Sequence, residues 1–510
     1  MPPCYLGDLT PERPTGYCVW AEIGVKRHSL PVLILILATA LCAPASDSKP
    51  VDPVQLTAWL AAGVPGQRLL RIVQECGIAA FLSEKQIGQL AAVGAPESLL
   101  RALSRFKPAL PDPASSEIPA SLLHAAAAAR SQRFHEAELA LRESMTADPQ
   151  NAALHFALGS MLRQQERWDE AFDEITISAK LMPDFPENHS SLAYIFYRLD
   201  DAPNAIAEAR TALSMDPQNA EAYQFLGLAL LAGEQYSAAV HAFNESLLRD
   251  SENPDTYYDL GISLHATGNS SAAIAAYRHA IHLTPKFWQA HSNLALVLHE
   301  QSRLEEAIAE YREAKRLAPD EASVRNNLGN TYCDKGDFDA AILELRELYR
   351  QHPEWEQGHG CLARAYLSKK EYGSAIGELQ LAIRHNPTGS AEHRALGEAL
   401  VLNDKLEEGV RELRLAVTLN PDSDAAHHSL ATALFQQQQL PAAEKEFREA
   451  LRLNASPDNH YSLAACLMSM DRYAEALSEL EIASRLDPER HLYRARRDEL
   501  LKVLKETNSR

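Results

Sequence analysis

The sequence predicts an all-α fold, a solenoid of about eleven helix-turn-helix repeats preceded by a small N-terminal helical domain. Three observations carry this prediction. A proline returns every 34 residues between Pro149 and Pro421, with Ser251 and Ala455 filling two slots of the series. Two positions per repeat are almost always Gly or Ala, and two others are large and apolar. A period of this length is typical of supersecondary units that stack and complete one another's core.

The repeat pattern assigns a role to each of these positions. With the recurring proline at unit position 32, the units begin at residues 118, 152, 186, 220, 254, 288, 322, 356, 390, 424 and, after one deletion, 457. Large residues at positions 7 and 11 lie on one face of the first helix, opposite position 24 of the second. Small residues at positions 8 and 20 let the two helices approach closely. Gly268, Gly336 and Asp200 mark the turn between them, because these residue types tolerate a left-handed backbone.

One unit shows the complete pattern, in Tyr257, Leu260, Gly261, Leu264, Ala273, Tyr277, Ala280 and Pro285. By this pattern, residues 118–488 resemble the tetratricopeptide repeat family. The resemblance implies a right-handed superhelix whose first helices form a concave inner wall, on which family members hold an extended or helical peptide. It specifies the fold rather than an activity, since the family binds many unrelated partners.

The resemblance also selects candidate peptide-binding residues, at positions 2, 5, 9, 12 and 13 of the first helices. These candidates are Tyr194, Tyr197, Arg198, Tyr258, His265, His299, Asn326, Asn330, Asp334, Arg364, Arg394 and Tyr461. Aromatic and arginine side chains offer large contact areas, and asparagine can pair with the backbone amides of a ligand. We therefore expect a protein or peptide ligand on this wall. The alternative is that each residue is simply an exposed part of the solenoid.

Residues 1–45 have the pattern of a leader. A basic segment at 26–28 precedes an apolar run at 31–43 and the sequence Ala43-Pro44-Ala45, which is typical of a secretory signal peptide cleaved after Ala45. The run is too short to cross a bilayer, so no stable membrane span is expected. Met1–Gly24 contains prolines and acidic residues ahead of the basic segment, which favours a translation start at Val25. The protein is therefore expected to be exported, to the periplasm or another part of the cell envelope.

The remaining segments flank the repeats. Residues 46–107 are predicted to form a small helical domain, with helix starts at Asp52-Pro53, Pro65, Ser83 and Pro96. Residues 108–117 are rich in proline and predict a stiff linker. The first unit carries alanines at 125–129 in place of large residues and is predicted to cap the stack. Residues 489–510 predict a capping helix and tail, with an apolar face formed by Leu492, Leu500, Leu501 and Leu504.

Charge and motif content argue against several classes of function. The formal net charge is −20, which would repel nucleic acid. No phosphate-binding loop, nucleophile elbow or zinc-ligand pair has its required spacing, so neither catalysis nor a cofactor is expected. Once the leader is removed, four cysteines remain: Cys76, Cys333, Cys361 and Cys466. Cys333 and Cys361 lie in successive units, which leaves both an unusual disulfide and buried free thiols open.

Histidine occupies unit position 4 in seven units: His155, His189, His291, His359, His393, His427 and His460. A ladder of imidazoles suggests a metal, but rings on neighbouring units are separated by about 8–10 Å, the distance of packed helices. A metal ion needs its ligand nitrogens about 2 Å away. We therefore interpret these histidines as half-buried packing residues and expect no metal site.

These observations favour a non-catalytic scaffold that binds a protein or peptide in its concave groove, in an assembly of the cell envelope. The alternative is the recognition arm of an enzyme, such as a Ser/Thr glycosyltransferase system acting in trans, whose repeat arm the asparagines at 293, 326 and 327 resemble. Self-association through the ends of the stack is a third possibility. The carboxylate clamp of chaperone cofactors is not supported, because Cys361 stands where a cation would be needed.

Overall fold

The computed structural model describes residues 50–79, 82–106 and 117–508. The predicted leader and all but the last residue of the predicted linker lie outside these ranges. Four short helices come first: α1 (Pro53–Ala61), α2 (Gly66–Cys76), α3 (Glu84–Ala92) and α4 (Glu97–Arg105). Each begins directly after a predicted helix-start residue, and Asp52 and Ser83 form reciprocal capping boxes with the first turn of their helices.

Eleven helical hairpins follow, one for each predicted unit. Their helices are α5 (Ala120–Arg130), α6 (Phe134–Ala147), α7 (Ala152–Gln164), α8 (Trp168–Leu181), α9 (Pro186–Arg198), α10 (Ala202–Met215), α11 (Ala220–Ala232), α12 (Tyr236–Leu247), α13 (Pro254–Ala266), α14 (Ser270–Leu283), α15 (Trp288–Glu300), α16 (Leu304–Leu317), α17 (Ala322–Lys335), α18 (Phe338–Gln351), α19 (His359–Ser368), α20 (Tyr372–His385), α21 (Ser390–Leu402), α22 (Leu406–Leu419), α23 (Asp424–Gln436), α24 (Leu440–Leu453), α25 (Pro457–Met468) and α26 (Tyr473–Leu486). Apart from one bridge between Val51 and Ile78, the described ranges contain no β-structure. The predicted all-α solenoid is confirmed.

Every hairpin turns through a residue with positive φ at unit position 15. Gly268, Gly336 and Asp200, the predicted turn residues, have φ values of 77°, 84° and 59°. The sequence did not predict that Glu166 and Lys370 adopt the same conformation, with φ of 59° and 60°. The cause is the closing hydrogen bond, which runs from the amide of position 16 to the carbonyl of position 11 in these turns and requires a left-handed residue between them.

The two helices of a hairpin meet where the small residues lie, as predicted. A Cβ atom added to Gly261 would lie 2.5 Å from the ring of Tyr277, and one added to Gly159 would lie 2.6 Å from Ile175. Position 8 therefore packs directly against position 24. The alanines at position 20 are fully buried throughout the stack, and only Gly409 replaces them. Close approach of the helices is what keeps these positions small.

The seven histidines at position 4 each bind their own carboxylate. Every Nδ1 atom lies 2.6–2.7 Å from the glutamate at position 23 of the same unit: Glu174, Glu208, Glu310, Glu378, Glu412, Glu446 and Glu479. In four units the second ring nitrogen also reaches the carbonyl of the preceding unit's proline. Burial lowers the pKa of His291, but Glu310 and the carbonyl of Pro285 outweigh it and raise that pKa overall. The histidines thus connect the two helices of their own hairpin, and four of them also bind the preceding unit.

Residues at the other position-4 sites follow the same rule. In unit 322, Arg325 takes the place of histidine and binds Glu344 at 3.0 Å and the carbonyl of Pro319 at 3.3 Å. In units 220 and 254, tyrosines occupy position 4, and the residue at position 23 is alanine. Histidine or arginine at position 4 therefore occurs with a glutamate at position 23, and tyrosine occurs without one.

The N-terminal helices do not stand apart from the repeats. Helix α1 contacts both α5 and α7, the first helices of two successive units, so it lies across the stack rather than at its end. Trp59 stacks on Phe185 with ring centroids 4.9 Å apart, and Phe156 meets the same ring edge-on at 5.2 Å. One continuous core joins α1–α4 to the first two hairpins and to the first helix of the third. Unit 118 was expected to cap the stack, but α1 covers it. The proposed domain boundaries stay predictions.

The C-terminal end carries the expected additional helix, α27 (His491–Asn508). Leu500 is buried against the last hairpin, as predicted for its apolar face. Leu492 is instead half exposed, and Tyr493 is fully buried beside it. Tyr493 takes the inward position because its ring packs on Tyr461 at 5.3 Å and its hydroxyl donates to Asp458 at 2.7 Å.

Candidate functional site

The first helices of the units form the inner wall of the stack. From α7 onward, most of them contact the first helix of the next unit directly, whereas the second helices of neighbouring units do not pack together in the same way. A stack in which only one set of helices meets curves toward that set. Polar links along the wall support this arrangement, such as Asn293 to Tyr258 at 3.2 Å and His428 to Ser462 at 3.0 Å. We call this wall the trough.

The first part of the trough is already filled by the chain itself. Helix α1 packs against the first helices of units 118 and 152, and trough positions in units 118, 152 and 186 are buried: Leu122, Ala126, Ala153, Phe156, Ser160, Glu187 and Ser190. The most polar contact is made by Arg68 on α2, whose Nε lies 2.5 Å from Oε1 of Glu187. Asp216 lies 3.3 Å from the same guanidinium and 3.5 Å from that of Arg71. Arginines of α2 therefore bind carboxylates of this stretch of the stack.

An aromatic cluster adjoins the filled part, and it contains three of the predicted residues. Tyr194 packs on Phe225 at 4.8 Å and on Tyr197 at 6.1 Å between ring centroids. Arg198 lies over the ring of Trp168 at 4.3 Å and donates to the hydroxyl of Tyr194 at 3.3 Å. The cation–π contact fixes Arg198 against the wall. The structure thus brings the predicted residues Tyr194, Tyr197 and Arg198 together.

Three successive units carry an acidic residue at trough position 2, a pattern that the sequence interpretation missed. Glu187 in unit 186 binds Arg68, and Glu221 in unit 220 lies 3.5 Å from the guanidinium of Arg163. The side-chain carboxylate of Asp255 in unit 254 has no hydrogen bond or ion pair with any described residue, and neither does the carboxylate of Asp259 one helical turn later. Each of the first two carboxylates therefore meets a guanidinium of this chain, and the third does not.

The pKa values of these two aspartates are raised. Burial raises the pKa of half-buried Asp259 well above its usual range, and the nearby charge of Asp255 adds to the effect. Asp255 is more open to solvent, and partial desolvation by the wall raises its pKa as well. Tyr197 also lies close enough for the charge of Asp259 to affect its phenol, whose pKa is raised chiefly by burial. A cation placed here would relieve the desolvation of both carboxylates.

The next stretch of the trough is lined by a chain of charged groups. His265 and Glu300 lie 2.7 Å apart, and His299 and Asp334 lie 2.9 Å apart in the following pair of units. Asp334 also accepts a hydrogen bond from Arg364 at 2.5 Å. Burial raises the pKa of Asp334, but hydrogen bonds from Arg364 and His299 outweigh it and hold that pKa below its usual range. These predicted residues are brought together, but they neutralise one another.

The remaining predicted residues are scattered along the wall. Tyr258 packs on Phe287 at 4.9 Å, and Arg394 is bound to Glu398 at 2.6 Å. Asn326 is buried, and its Oδ1 atom accepts no hydrogen bond within the described part of the chain. Asn330 is half-buried in the wall. Tyr461 is half-buried, and its ring packs on Tyr493 of α27 at 5.3 Å, so its assignment to the groove stays a prediction.

Two thiols also meet in the trough. The sulfur of Cys333 donates to the backbone carbonyl of Cys361 at 3.2 Å, and the sulfur of Cys361 lies 3.8 Å from the carbonyl of Gly329. Nε of Arg364 donates to the sulfur of Cys333 at 3.4 Å. Both cysteines are free in this structure.

The sequence interpretation missed residues for identifiable reasons. Glu187, Glu221 and Asp255 occupy a named trough position and could have been found as an acidic series. Arg163 also stands at such a position, number 12 of unit 152. Asp259 stands at position 6, which the resemblance does not place on the wall. Arg68 lies outside the repeats, so no periodic signal could have found it.

Other kinds of site were searched over the described ranges. They contain no group of three or more His, Cys, Asp or Glu side chains arranged to hold a metal ion. Within the same ranges, no helix combines the length and the apolar character needed to span a membrane. An open cavity on the outer side of units 322 and 356 is lined by Tyr349, Trp355, His359, Arg384 and His385.

Comparison with known proteins identifies the repeat. A family model described as "Tetratricopeptide repeat" matches residues 122–179, 191–256, 258–322, 326–391 and 394–460, which together exceed half of the chain. No curated protein sequence matches the chain.

Several solved structures are similar to parts of the chain. PilF from Pseudomonas aeruginosa has 18% identity and a TM-score of 0.37, over 41% of this chain and 94% of its own. YrrB, described as a tetratricopeptide repeat protein with an unusual peptide-binding site, has 22% identity and a TM-score of 0.33, over 38% and 97%. MamA from Desulfovibrio magneticus RS-1 has 19% identity and a TM-score of 0.32, over 33% and 95%.

Proposed function

This chain belongs to the tetratricopeptide repeat family, and on that premise we propose that it is a non-catalytic scaffold whose trough binds a helical or extended segment of a partner protein. One observation carries the proposal: α1 of the same chain packs against the first helices of units 118 and 152, and Arg68 of α2 binds Glu187 on the first helix of unit 186. The wall continues beyond them with the same first-helix geometry. A partner segment would lie on that continuation.

The chemistry of the bound segment follows from the acidic series at trough position 2. Glu187 and Glu221 are each matched by an arginine of this chain, whereas Asp255 and Asp259 lack such a partner among the described residues. The neighbouring aromatic cluster offers flat surfaces for apolar side chains and for the stem of an arginine. We therefore propose that the partner presents arginine or lysine to Asp255 and Asp259, next to an aromatic or aliphatic anchor.

Arg68 provides the model for this contact. It reaches the wall from a helix, places its guanidinium against a carboxylate at position 2, and is shielded there from water. A charge-assisted hydrogen bond of this kind contributes about 1.5–3 kcal/mol when both groups are desolvated. Asp255 and Asp259 lie four residues apart on α13, so one guanidinium can span both carboxylates.

The test compares basic and acidic peptides of matched length. The probes are fluorescent amphipathic helical peptides that carry either arginines or glutamates beside one tyrosine, titrated against the full chain by fluorescence polarisation. We expect the arginine peptide to bind and D255N/D259N to weaken its binding by at least about tenfold, the equivalent of one lost ion contact. Binding should strengthen as the pH rises, because the raised pKa values keep the two carboxyls partly protonated in acid.

The matched control lies on the outer surface. Asp169 and Asp173 are likewise spaced four apart, on α8, and both are exposed. D169N/D173N removes the same formal charge without touching the trough, so it should leave binding unchanged. An equal loss of peptide affinity in both variants would mean that the net charge of the protein, and not the two trough aspartates, determines binding. Failure of every peptide to bind would count against the trough itself.

The place of action is a separate proposal, supported by the signal-peptide pattern at 26–45. We propose export and a role in an assembly of the cell envelope. N-terminal sequencing of the mature protein should find Ser46, and recovery of Met1–Gly24 on the protein would contradict both cleavage and a start at Val25. The alternative, a recognition arm acting in trans with a glycosyltransferase, would use the same trough, and the asparagines at 293, 326 and 327 are the residues that suggest it.

A further inference from the structure

Two thiols from neighbouring units are held together inside the trough, at a place that the proposed function does not use. Cys333 lies near the end of α17, and Cys361 lies in the first turn of α19. The sulfur of Cys333 sits 3.2 Å from the backbone oxygen of Cys361 and so lies beside that residue itself. The sulfur of Cys361 in turn lies 3.8 Å from the carbonyl of Gly329, one helical turn before Cys333, so each sulfur faces the helix that carries the other.

A cation lies against only one of the two sulfurs. Nε of Arg364 donates to Cys333 at 3.4 Å, while its Nη2 atom is held by Asp334, which also binds His299. Hydrogen bonding from Cys361, together with Arg364, lowers the pKa of the Cys333 thiol to about 7 despite its burial. Contact with Cys333 and burial raise the pKa of Cys361. The pair is therefore asymmetric, with the first thiolate on Cys333 and the retained proton on Cys361.

We propose that Cys333 and Cys361 form a peroxide-sensitive dithiol that closes to a disulfide between neighbouring repeats. The oxidant is a small hydroperoxide, because Cys333 is only 3% exposed and a bulky reagent would not reach it. Cys361 is half-buried and opens the approach from the trough. The bridge would join α17 to α19 across a unit boundary and fix the local curvature of the wall.

The reaction balances in two steps. The Cys333 thiolate attacks one oxygen of the peroxide, the O–O bond breaks, and a sulfenic acid forms while the leaving oxygen takes up a proton as water or alcohol. The sulfur of Cys361 then attacks the sulfenic sulfur, the S–O bond breaks, and the departing hydroxide takes the proton of Cys361 as water. Two thiols lose two electrons in total, and the peroxide gains them. An external dithiol reductant would reverse the bond by exchange.

The first test is peptide mapping of the full chain. The reduced protein is treated with hydrogen peroxide near pH 7, alkylated and digested with trypsin, which places the two thiols in separate peptides, 326–335 and 351–364. We expect these two peptides to be linked, with the loss of two hydrogens, and to separate again after dithiothreitol. Cys76 and Cys466 serve as internal controls and should stay alkylated. Recovery of Cys333 and Cys361 fully alkylated, or oxidised further without a link, would overturn the proposal.

The second test assigns the order of the steps. In Cys361→Ser the sulfenic acid on Cys333 cannot be resolved, so dimedone, which tags sulfenic acids, should label residue 333 when it is added together with denaturant after the peroxide treatment. In Cys333→Ser, residue 361 should stay reduced under the same conditions. Circular dichroism of both variants would verify the helical fold. Dimedone on residue 361 in preference to 333 would reverse the assigned roles and contradict the asymmetry.

Arg364 is a positioning residue in this scheme, and a pH profile tests it. Arg364→Gln should move the pH of half-maximal oxidation upward toward that of an ordinary thiol and slow the reaction near pH 7 by about tenfold, since the thiolate fraction falls tenfold per pKa unit. Arg350→Gln is the matched control, because Arg350 is exposed on α18 and paired with Glu347. An unchanged profile in Arg364→Gln would exclude its role. Peptide binding at Asp255 and Asp259 is not required for any of these results.

Discussion

The two parts of the trough each contain a group of three paired side chains, one arginine between two carboxylates in the filled part and one carboxylate between two bases in the open part. In the filled part, Arg68 lies between Glu187 and Asp216, and the three side chains are only 13%, 5% and 10% exposed. In the open part, Asp334 lies between His299 and Arg364, and the side chains of these three residues are 38%, 28% and 54% exposed. Distances within the two groups are similar, so geometry alone does not distinguish them. The difference is the helical cover that α1 and α2 supply.

The comparison shows how one repeated wall can serve two purposes. Where helices of the same chain cover the wall, an ion pair becomes part of the core, and removing one partner leaves a desolvated charge. Where the wall is open, water competes for the same groups, and each pair contributes little to stability. The open part can therefore exchange its partners for those of a ligand at a small cost. The filled part cannot.

The largest expected effect comes from Arg68→Ala, which breaks the filled part. Removal of one member of a buried pair costs about 3–5 kcal/mol, because Glu187 stays buried without its cation. We expect hydrogen exchange in α1 and α2 to accelerate strongly, while the hairpins beyond unit 220 stay protected. Arg68→Met, which keeps the apolar stem, should lose less. Unchanged exchange in α1 and α2 would show that this ion pair does not hold the cover in place.

Glu138 offers a second test of the filled part. Its carboxylate is buried in the first unit and is hydrogen-bonded by arginines of the same chain. Burial would raise its pKa, but hydrogen bonds from Gln165, Arg142 and Arg167 outweigh it and lower the pKa to about 2. Since the folded-state pKa lies below the ordinary value of about 4.5, its contribution is present above pH 4.5 and is lost as the pH falls toward 2. We expect Glu138→Gln to cost about 2 kcal/mol near neutral pH. Urea unfolding should show this difference shrinking in acid, and a constant difference would contradict the assignment.

Asp334→Asn tests the open part with the equivalent change. Because the group is exposed, we expect a loss of only about 0–1 kcal/mol, which added salt should reduce further. Denaturant unfolding of the full chain at low and high salt would measure it. A loss as large as that of Arg68→Ala would remove the distinction between the two parts of the trough.

The smallest effect should be the same in both parts, since it is local to the turn. Glu166 and Lys370 adopt left-handed φ at position 15 of a filled and an open unit. Glycine at either site removes a backbone strain of about 1–2 kcal/mol from the folded state. Glycine also raises the conformational entropy of the unfolded state, which offsets part of this effect. We therefore expect a net gain in stability of about 0.5–1 kcal/mol. Thermal unfolding of Glu166→Gly and Lys370→Gly would compare the two. Unequal gains would indicate that the cover strains the turns beneath it.

Much of the fold could be predicted because each unit repeats the same local problem. Small residues at positions 8 and 20 and the closing proline all recur with one period, so eleven weak signals reinforce one another. Helix starts in the N-terminal segment were also predictable, since Asp52 and Ser83 act on their own first turns. The turn residues were predicted only in part, because the hydrogen bonding of the turn imposes left-handed φ even on Glu166 and Lys370.

The candidate site was predicted less completely. From the trough positions of the repeat we predicted Tyr194, Tyr197 and Arg198, and the structure places these three residues in one cluster. The repeat positions did not indicate which charged residues form ion pairs with one another, as Asp334 and Arg364 do. Pairing depends on the rotation between successive units, and a single unit's sequence carries no record of that rotation.

The sequence by itself determined the repeat, its length, the hairpin turns and the wall on which a ligand would lie, because these follow from residues close together in the chain. Only the tertiary structure decided which part of that wall is open. Arg68 and Glu187 are separated by 119 residues and share no period, so their contact arises from folding the N-terminal helices back onto the stack. The meeting of Cys333 and Cys361 was likewise decided by how two units pack, since neighbouring positions in a repeat become neighbours in space only at one particular twist.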